Sequence, residues 1–442
     1  MNKQLSIFFM LTLLMSMVGT SATAHDFEVE NSDGVTIYYN YINNETELAV
    51  TFRGEYRPWK NCPYSGTVVI PEEVTYNGKT LKVTSIGEGA FYQGENITSV
   101  TIPNSVKCIG VTAFADCENM TSVNIPDHVT AIGEAAFQNC RGLTSINIPN
   151  GLKIIEDQTF ENCRGLTSIN IPNSVTSIGR MAFTSCNGLT SINIPNSVTT
   201  IRDCAFFWCQ NLTSVTIPNS VTTIGERVFE RCTNLNSIVV DANNSVYDSR
   251  NNCNAIIETN SNTLLQGCQN TIIPNSVTSI GDWAFYYRDI NSLIIPNGVK
   301  SIGMCAFGYI NITSVVLPNS LISIGKEAFS GCGDLTDVYC YAESVPEMGW
   351  EVFTWYLFEN ATLHVPASSL NAYRHADQWK ACKNIVALTD NDPKPVGITN
   401  INNEAKTIEH YYSLDGKRMT TLQRGLNIIR TADGKNKKVI RP

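Results

Sequence analysis

The residues of this 442-residue chain best equipped for chemistry are its fifteen cysteines, and their spacing decides which chemistry is open to them. Cys117, Cys140, Cys163, Cys186, Cys209 and Cys232 recur every 23 residues. Equivalent side chains at a fixed period stack in a line about 5 Å apart and point the same way. Such a row is poor geometry for a disulfide, whose partners must face each other, and worse for a tetrahedral metal cage. Arg288 and Ile310 take the equivalent place later in the chain, where a required bond or ligand set would not accept them. The row therefore reads as small buried thiols packed beneath a turn. Cys253 and Cys268 differ: a two-residue turn at Asn260-Ser261 would set them directly opposite each other in an antiparallel hairpin, which makes them the candidate disulfide. An odd total leaves at least one thiol without an internal partner.

Other chemistry finds little support. The sequence has no His-Glu-x-x-His, Gly-x-Ser-x-Gly, Walker loop or Gly-x-Gly-x-x-Gly. Its five histidines are scattered without metal spacing. Asp241, Asn243, Asn244 and Asp248 crowd oxygen ligands together, but without the ordered alternation of a calcium loop they read as a polar loop making its own turns. No cofactor, no metal and no enzymatic activity are expected. The formal net charge is −9 and the repeats are rich in Ser, Thr and Asn, so no basic stripe is available to neutralise phosphates and nucleic acid is not an expected partner.

What positions these residues is the repeat itself. Phe91, Phe114, Phe137, Phe160, Phe183, Phe206 and Phe229 keep the same period, as do Pro103, Pro126, Pro149, Pro172, Pro195 and Pro218. A period in this range signals a solenoid, whose units bury their apolar side only when neighbours stack on them. In the unit Leu166 to Gly188, Ile169 and Ile171 share one face of an extended segment while Ser168 and Asn170 face the other way. Pro172 ends the strand because it has no N–H for a ladder. Val175 and Ile178 form a second apolar pair, and Ala182, Phe183 and Cys186 have the spacing of one helical turn.

The order Ile-Pro-x-Ser-Val-Thr-x-Ile-Gly-x-x-Ala-Phe-x-x-Cys resembles the BspA-like leucine-rich repeat family of bacterial surface proteins, over roughly residues 68 to 366. The expected fold is a β-rich solenoid. It is a right-handed leucine-rich repeat coil of about 23-residue units, each a strand plus a short helical turn, capped at both ends and followed by a small β-domain.

In chain order, residues 1–24 read as a signal peptide, with Lys3, the apolar run Leu5 to Val18 and the exit Ala22-Thr23-Ala24. No segment of the mature chain is apolar enough to cross a membrane as a helix, so the expected location is secreted or at the outer surface of a bacterium. Residues 25–80 form an N-terminal β cap, and repeats occupy 81–341. A hairpin insertion at about 241–270 interrupts them, after which Phe285, Phe307 and Phe329 step by 22. A C-terminal cap spans 342–388, with an aromatic lid in SVPEMGWEVFTWYLF, and 389–396 is a polar, proline-containing linker. Residues 397–442 read as a small β-domain with a tight turn at Asp415-Gly416. Through Tyr412-Ser-Leu-Asp-Gly-Lys-Arg and Arg424-Gly-Leu-Asn-Ile-Ile this tail resembles bacterial C-terminal sorting domains, which implies attachment at the outer surface; Asn427 departs from the tyrosine usual there.

One outward row changes character along the strands. It runs Thr101, Asn124, Asn147, Asn170, Asn193 and Thr216, then becomes Val239, Ile294, Val316, Tyr339 and His364. Adjoining exposed apolar groups mark an interface, so these five are the candidate partner-binding patch. The competing expectation is that the insertion or the C-terminal lid covers this end. The family resemblance implies a non-catalytic binding protein that adheres to host or neighbouring-cell macromolecules, most simply proteins, through the repeat face. The alternative is a structural scaffold of a surface assembly.

Overall fold

The computed structural model describes residues 25–53, 62–290, 293–354 and 360–395, together with the backbone of four strands between 408 and 441. The expected signal peptide, the Asp415-Gly416 turn and part of the aromatic lid lie outside the described residues. The chain divides into two compact units, Met1–Leu166 and Thr167–Pro442.

The first unit opens with an antiparallel meander, Phe27–Glu30, Thr36–Ile42 and Glu47–Thr51. The strand Glu47–Thr51 then pairs in parallel with Lys79–Ile86, which joins this meander edge to edge with the coils. Each coil contributes to two parallel ladders. One is built from Gly66–Val69, Ile97–Thr101 and Ser122–Asn124. The other continues from Lys79–Ile86 to Cys108–Ile109 and Ala131–Ile132. Between the ladders the phenylalanines form a column: Phe91, Phe114, Phe137 and Phe160 stack with centroids 4.9, 5.2 and 5.7 Å apart and planes within 9°. All four are fully buried, a burial that contributes about 1.5–3 kcal/mol for each ring. Tyr64 closes the column, its ring 4.7 Å from Phe91 and its hydroxyl donating to the Thr51 carbonyl at 3.0 Å.

The second unit repeats this plan. Ser191–Ile192, Ser214–Ile217 and Ser237–Val240 make a parallel ladder, and Phe183, Phe206 and Phe229 stack at 5.3 and 5.5 Å. Beyond the insertion a five-stranded parallel sheet runs Leu293–Ile294, Ser314–Leu317, Asp337–Cys340, Thr362–Val365 and Asn384–Ala387. The column resumes with Phe285, Phe307, Phe329 and Phe353. It ends against Trp379, 6.3 Å from Phe353, and Tyr373, which packs on Trp379. Both cap residues hydrogen-bond backbone: the Trp379 indole N–H donates to Pro346 O and the Tyr373 hydroxyl to Ala342 O. They follow the helix Leu370–His375 closely in sequence or lie on it. In the tail, Ile408–Tyr412 pairs antiparallel with Arg418–Met419 and Gly425–Thr431, and the latter with Asn436–Arg441.

The Ala-Phe-x-x-Cys segment folds as successive turns closed by bonds three residues apart, such as Thr184 N to Met181 O and Cys186 N to Phe183 O. A left-handed residue punctuates it twice per coil, as at Met181 (φ 55°) and Ser185 (φ 59°), which keeps it from continuing as a helix. Such conformations cost about 1 kcal/mol or more for residues with a Cβ. Here they aim the N–H along the stack, so that Met181 N reaches Asp203 O at 3.0 Å and Ser185 N reaches Phe207 O at 2.8 Å. Inter-coil hydrogen bonding offsets the local strain.

Candidate functional site

The periodic cysteines take a backbone role. Their buried thiols donate to the carbonyl of a phenylalanine one coil back, as Cys117 does to Phe91, Cys140 to Phe114, Cys163 to Phe137, Cys209 to Phe183 and Cys232 to Phe206, at 3.1–3.2 Å. Burial pushes the Cys163 thiol up to about 12 and the Cys232 thiol up to about 11. These sulfurs are held neutral and away from nucleophilic chemistry. Arg288 replaces the thiol where the hairpin intervenes, and its guanidinium donates to the carbonyls of Phe229 and Cys232.

Cys253 and Cys268 are both free, buried thiols. The hairpin strands Ala255–Glu258 and Thr263–Gly267 pair Glu258 with Thr263, as a turn centred on Asn260-Ser261 requires, but a bulge between Ile256 and Ile257 shifts the register so that Ala255 faces Gly267. One residue of slip turns side chains to opposite faces. The Cys268 thiol instead donates to Asn254 O at 3.3 Å. The oxygens of the nearby polar loop are spent locally: Asp241 accepts from Asn243 N, and Asn244 from Val246 N and Tyr247 N. Among the described residues no group of three or more His, Cys, Asp or Glu side chains is placed to hold a metal ion.

The five patch residues do not form one open surface. Val239 lies on Ser237–Val240 in a three-stranded sheet, whereas the other four lie on the five-stranded sheet. There Ile294 pairs with Val316, Val316 with Tyr339, and Tyr339 with His364. Val239 and Ile294 are 46% and 47% exposed, but Val316 is buried at 4%. Tyr339 and His364 are half-buried and stack at 4.3 Å. Residues 389–395 of the segment read from sequence as a linker are docked beside them. The Tyr341 hydroxyl donates to Pro393 O at 3.1 Å and the Asn297 amide to Pro395 O at 3.2 Å. Asp392 approaches His364 Nδ1 at 4.0 Å, while His364 Nε2 meets Asp337 at 3.0 Å. Burial raises the Tyr339 phenol, and the carboxylates of Asp337 and Asp392 add to the shift.

A second surface lies on the turn side of the same unit. Arg231 sits over Trp208 at 5.2 Å and over Tyr287 at 4.0 Å, and Tyr287 stacks on Tyr309 at 4.5 Å with planes 5° apart. Beside this ladder Arg227 lies over Phe207 and Trp283, at 5.4 and 4.7 Å. Tyr286 meets Trp283 and Tyr287 edge-on. Both arginines pair with Glu230, whose carboxylate is fully buried. Burial, then the neighbouring Tyr287 and Tyr309, push the Tyr286 phenol up to about 12. Trp208 and Tyr309 remain 39% and 45% exposed. None of these residues is among the expected site residues, because the outward strand row draws attention first. The signal that finds them is the pair following each phenylalanine: Ala115-Asp116 and Gln138-Asn139 early, then Phe207-Trp208, Glu230-Arg231 and Tyr286-Tyr287.

The model for BspA-type leucine-rich repeat regions, with six copies, matches residues 84–187, 153–260 and 255–375. The chain belongs to the BspA-type leucine-rich repeat family. Among solved structures, a leucine-rich cell surface protein from Faecalibacterium prausnitzii is 24% identical, covers 83% of this chain and 96% of its own, and superposes with a TM-score of 0.56. A leucine-rich repeat protein from Bacteroides ovatus is 23% identical, with 83% and 100% covered and a TM-score of 0.51. At these identities the likeness is one of fold. No curated protein sequence matches the chain. BspA-type repeats are consistent with a binding or surface role, and among the described residues no helix is long and apolar enough to cross a membrane.

Proposed function

We propose that this BspA-type protein is a non-catalytic adhesin, secreted or held at the outer surface of a bacterium, that binds host or neighbouring-cell proteins through its coils. The observation that carries the reading is the ladder Trp208, Arg231, Tyr287 and Tyr309. Tryptophan, tyrosine and arginine are the residues that dominate protein interfaces, and here stacking holds them rigid, so little side-chain entropy is lost on contact. Arg231 lies between Trp208 and Tyr287, and Tyr287 stacks on Tyr309, so ring edges, hydroxyls and the ends of the ladder are left for a protein surface. The description of the Faecalibacterium relative as a cell surface protein supports the location. Attachment through residues 397–442 belongs to the same reading.

Beads coated with the chain, washed over cultured epithelial cells and over immobilised extracellular-matrix proteins, test it. Trp208→Ser with Tyr309→Ser is expected to lower retention about tenfold or more, and Ile322→Ser, at an exposed site off the ladder, to leave it unchanged. Equal retention of the double variant would remove the ladder from the account. No retention of unaltered beads on any surface would remove adhesion.

A further inference from the structure

We propose that the outward face of the five-stranded sheet is a receptor for an extended, proline-containing peptide of a partner protein, and that residues 389–395 of the chain occupy that receptor in this structure. The face is separate from the aromatic ladder and stands on different observations. The occupying sequence is Thr-Asp-Asn-Asp-Pro-Lys-Pro. Pro393 and Pro395 fix their own φ, and each pushes the residue before it, Asp392 or Lys394, out of the helical region. Residues 389–392 form a turn, Asp392 N donating to Thr389 O at 3.3 Å, and the prolines that follow favour an extended chain whose carbonyls stay available. Two of them are taken, by the Tyr341 hydroxyl and the Asn297 amide. A turn sets the start of the run, with Thr389 N donating to the Asp392 carboxylate at 2.6 Å. That carboxylate also faces His364, which Asp337 holds from the other side.

The receptor side has the parts that polyproline recognition uses: ring surface, an apolar floor and donors spaced along the groove. Tyr339 and His364 supply the rings, Val316 the floor, and Tyr341 and Asn297 the donors. Ile294 continues the floor, 47% exposed, on the strand beside Val316. Two of the three contacts read backbone carbonyls, which any peptide offers. Only the acidic residue is read by its side chain, while the prolines hold the chain extended so that its carbonyls meet the two donors; an acid-Pro-x-Pro segment of another protein fits the same groove. The chain's own segment is tethered, at an effective concentration in the millimolar range, and an outside peptide gains access when this segment lets go.

The test uses the full chain and a fluorescein-labelled Thr-Asp-Asn-Asp-Pro-Lys-Pro peptide, read by anisotropy. A chain carrying Asp392→Ala, Pro393→Ala and Pro395→Ala is expected to bind the peptide at least about tenfold more tightly than the unaltered chain. Adding Tyr341→Phe and Asn297→Ala should reverse that gain, and a peptide with alanine for both prolines should not bind. Hydrogen exchange of 386–395 reports the segment directly and should quicken in the triple variant and in Tyr341→Phe/Asn297→Ala alone. No peptide binding once exchange shows release would overturn the proposal, as would binding indifferent to Tyr341 and Asn297. Unchanged exchange in either variant would overturn it too, because these groups would then not hold the segment. A concentration-dependent dimer without peptide binding would name a second copy as the occupant and equally end the proposal.

Discussion

A thiol that donates to a carbonyl in the core is useful only while it keeps its proton. Burial holds Cys163 at about 12 and Cys232 and Cys332 at about 11, against an ordinary value of 9.0. The folded values are raised, so these groups contribute their full stability below about pH 9 and lose it as pH climbs towards 11 to 12. Urea midpoints should therefore fall between pH 8 and pH 10, by about 1 kcal/mol for each thiol. The fall should be shallower in Cys163→Ser, where a hydroxyl donates without ionising; an equally steep fall would assign the alkaline sensitivity elsewhere. The 23-residue spacing of Cys117 to Cys232 shows that these side chains are aligned and unsuited to pairing. It does not show the Phe carbonyl as their acceptor, because that contact joins residues one coil apart. Arg288 at a cysteine position looks like an interruption in sequence. In the structure it is the same donor on a longer arm, reaching Phe229 O past the inserted hairpin.

The hairpin shows where pattern stops informing. Alternating apolar runs on either side of Asn260-Ser261 are enough to place its turn, and Glu258 does pair with Thr263. A bulge leaves no mark in that alternation, so the register beyond Ile257 and the fate of Cys253 and Cys268 are not legible. Nor is the reason for Gly267, which becomes plain only beside its neighbour: a Cβ there would overlap the Phe285 ring. Gly267→Ala is expected to destabilise the second unit by about 2–4 kcal/mol, measured by thermal or urea unfolding. A loss under about 0.5 kcal/mol would mean that Phe285 has room to move. The segment 389–395 makes the same point about composition. Its prolines and polar residues read as a linker, yet two of the three contacts that dock it are made to carbonyl oxygens, which no sequence distinguishes.

At the scale of the whole molecule, periodicity makes the fold legible because a stack of coils is held by neighbour on neighbour. Its stability is close to a sum over adjacent interfaces. Damage should accordingly stay local: Phe307→Ala, which removes a fully buried ring from the column, should cost about 3–5 kcal/mol. Hydrogen exchange should quicken from Phe285 to Phe329 while the amides around Phe114 keep their protection. Uniform loss across both units would show a single cooperative block instead. Binding is less legible than fold for the same reason, since a contact surface such as Trp208, Arg231, Tyr287 and Tyr309 is assembled from coils up to 101 residues apart in sequence (309 − 208).

The left-handed place two residues after the phenylalanines from Phe91 to Phe307 holds Gln93, Asp116, Asn139, Asn162, Ser185, Trp208, Arg231, Tyr287 and Tyr309, with φ between 56° and 60°. Acid, amide, alcohol, base and aromatic all occupy one conformation there, and at Gln93, Asp116, Asn139, Ser185, Trp208, Tyr287 and Tyr309 the N–H is bonded to the following coil. The main chain at this place is indifferent to what it carries. A lineage of such proteins is thereby free to exchange one set of outward groups for another, and so to change what it grips, while every interior phenylalanine stays where it is.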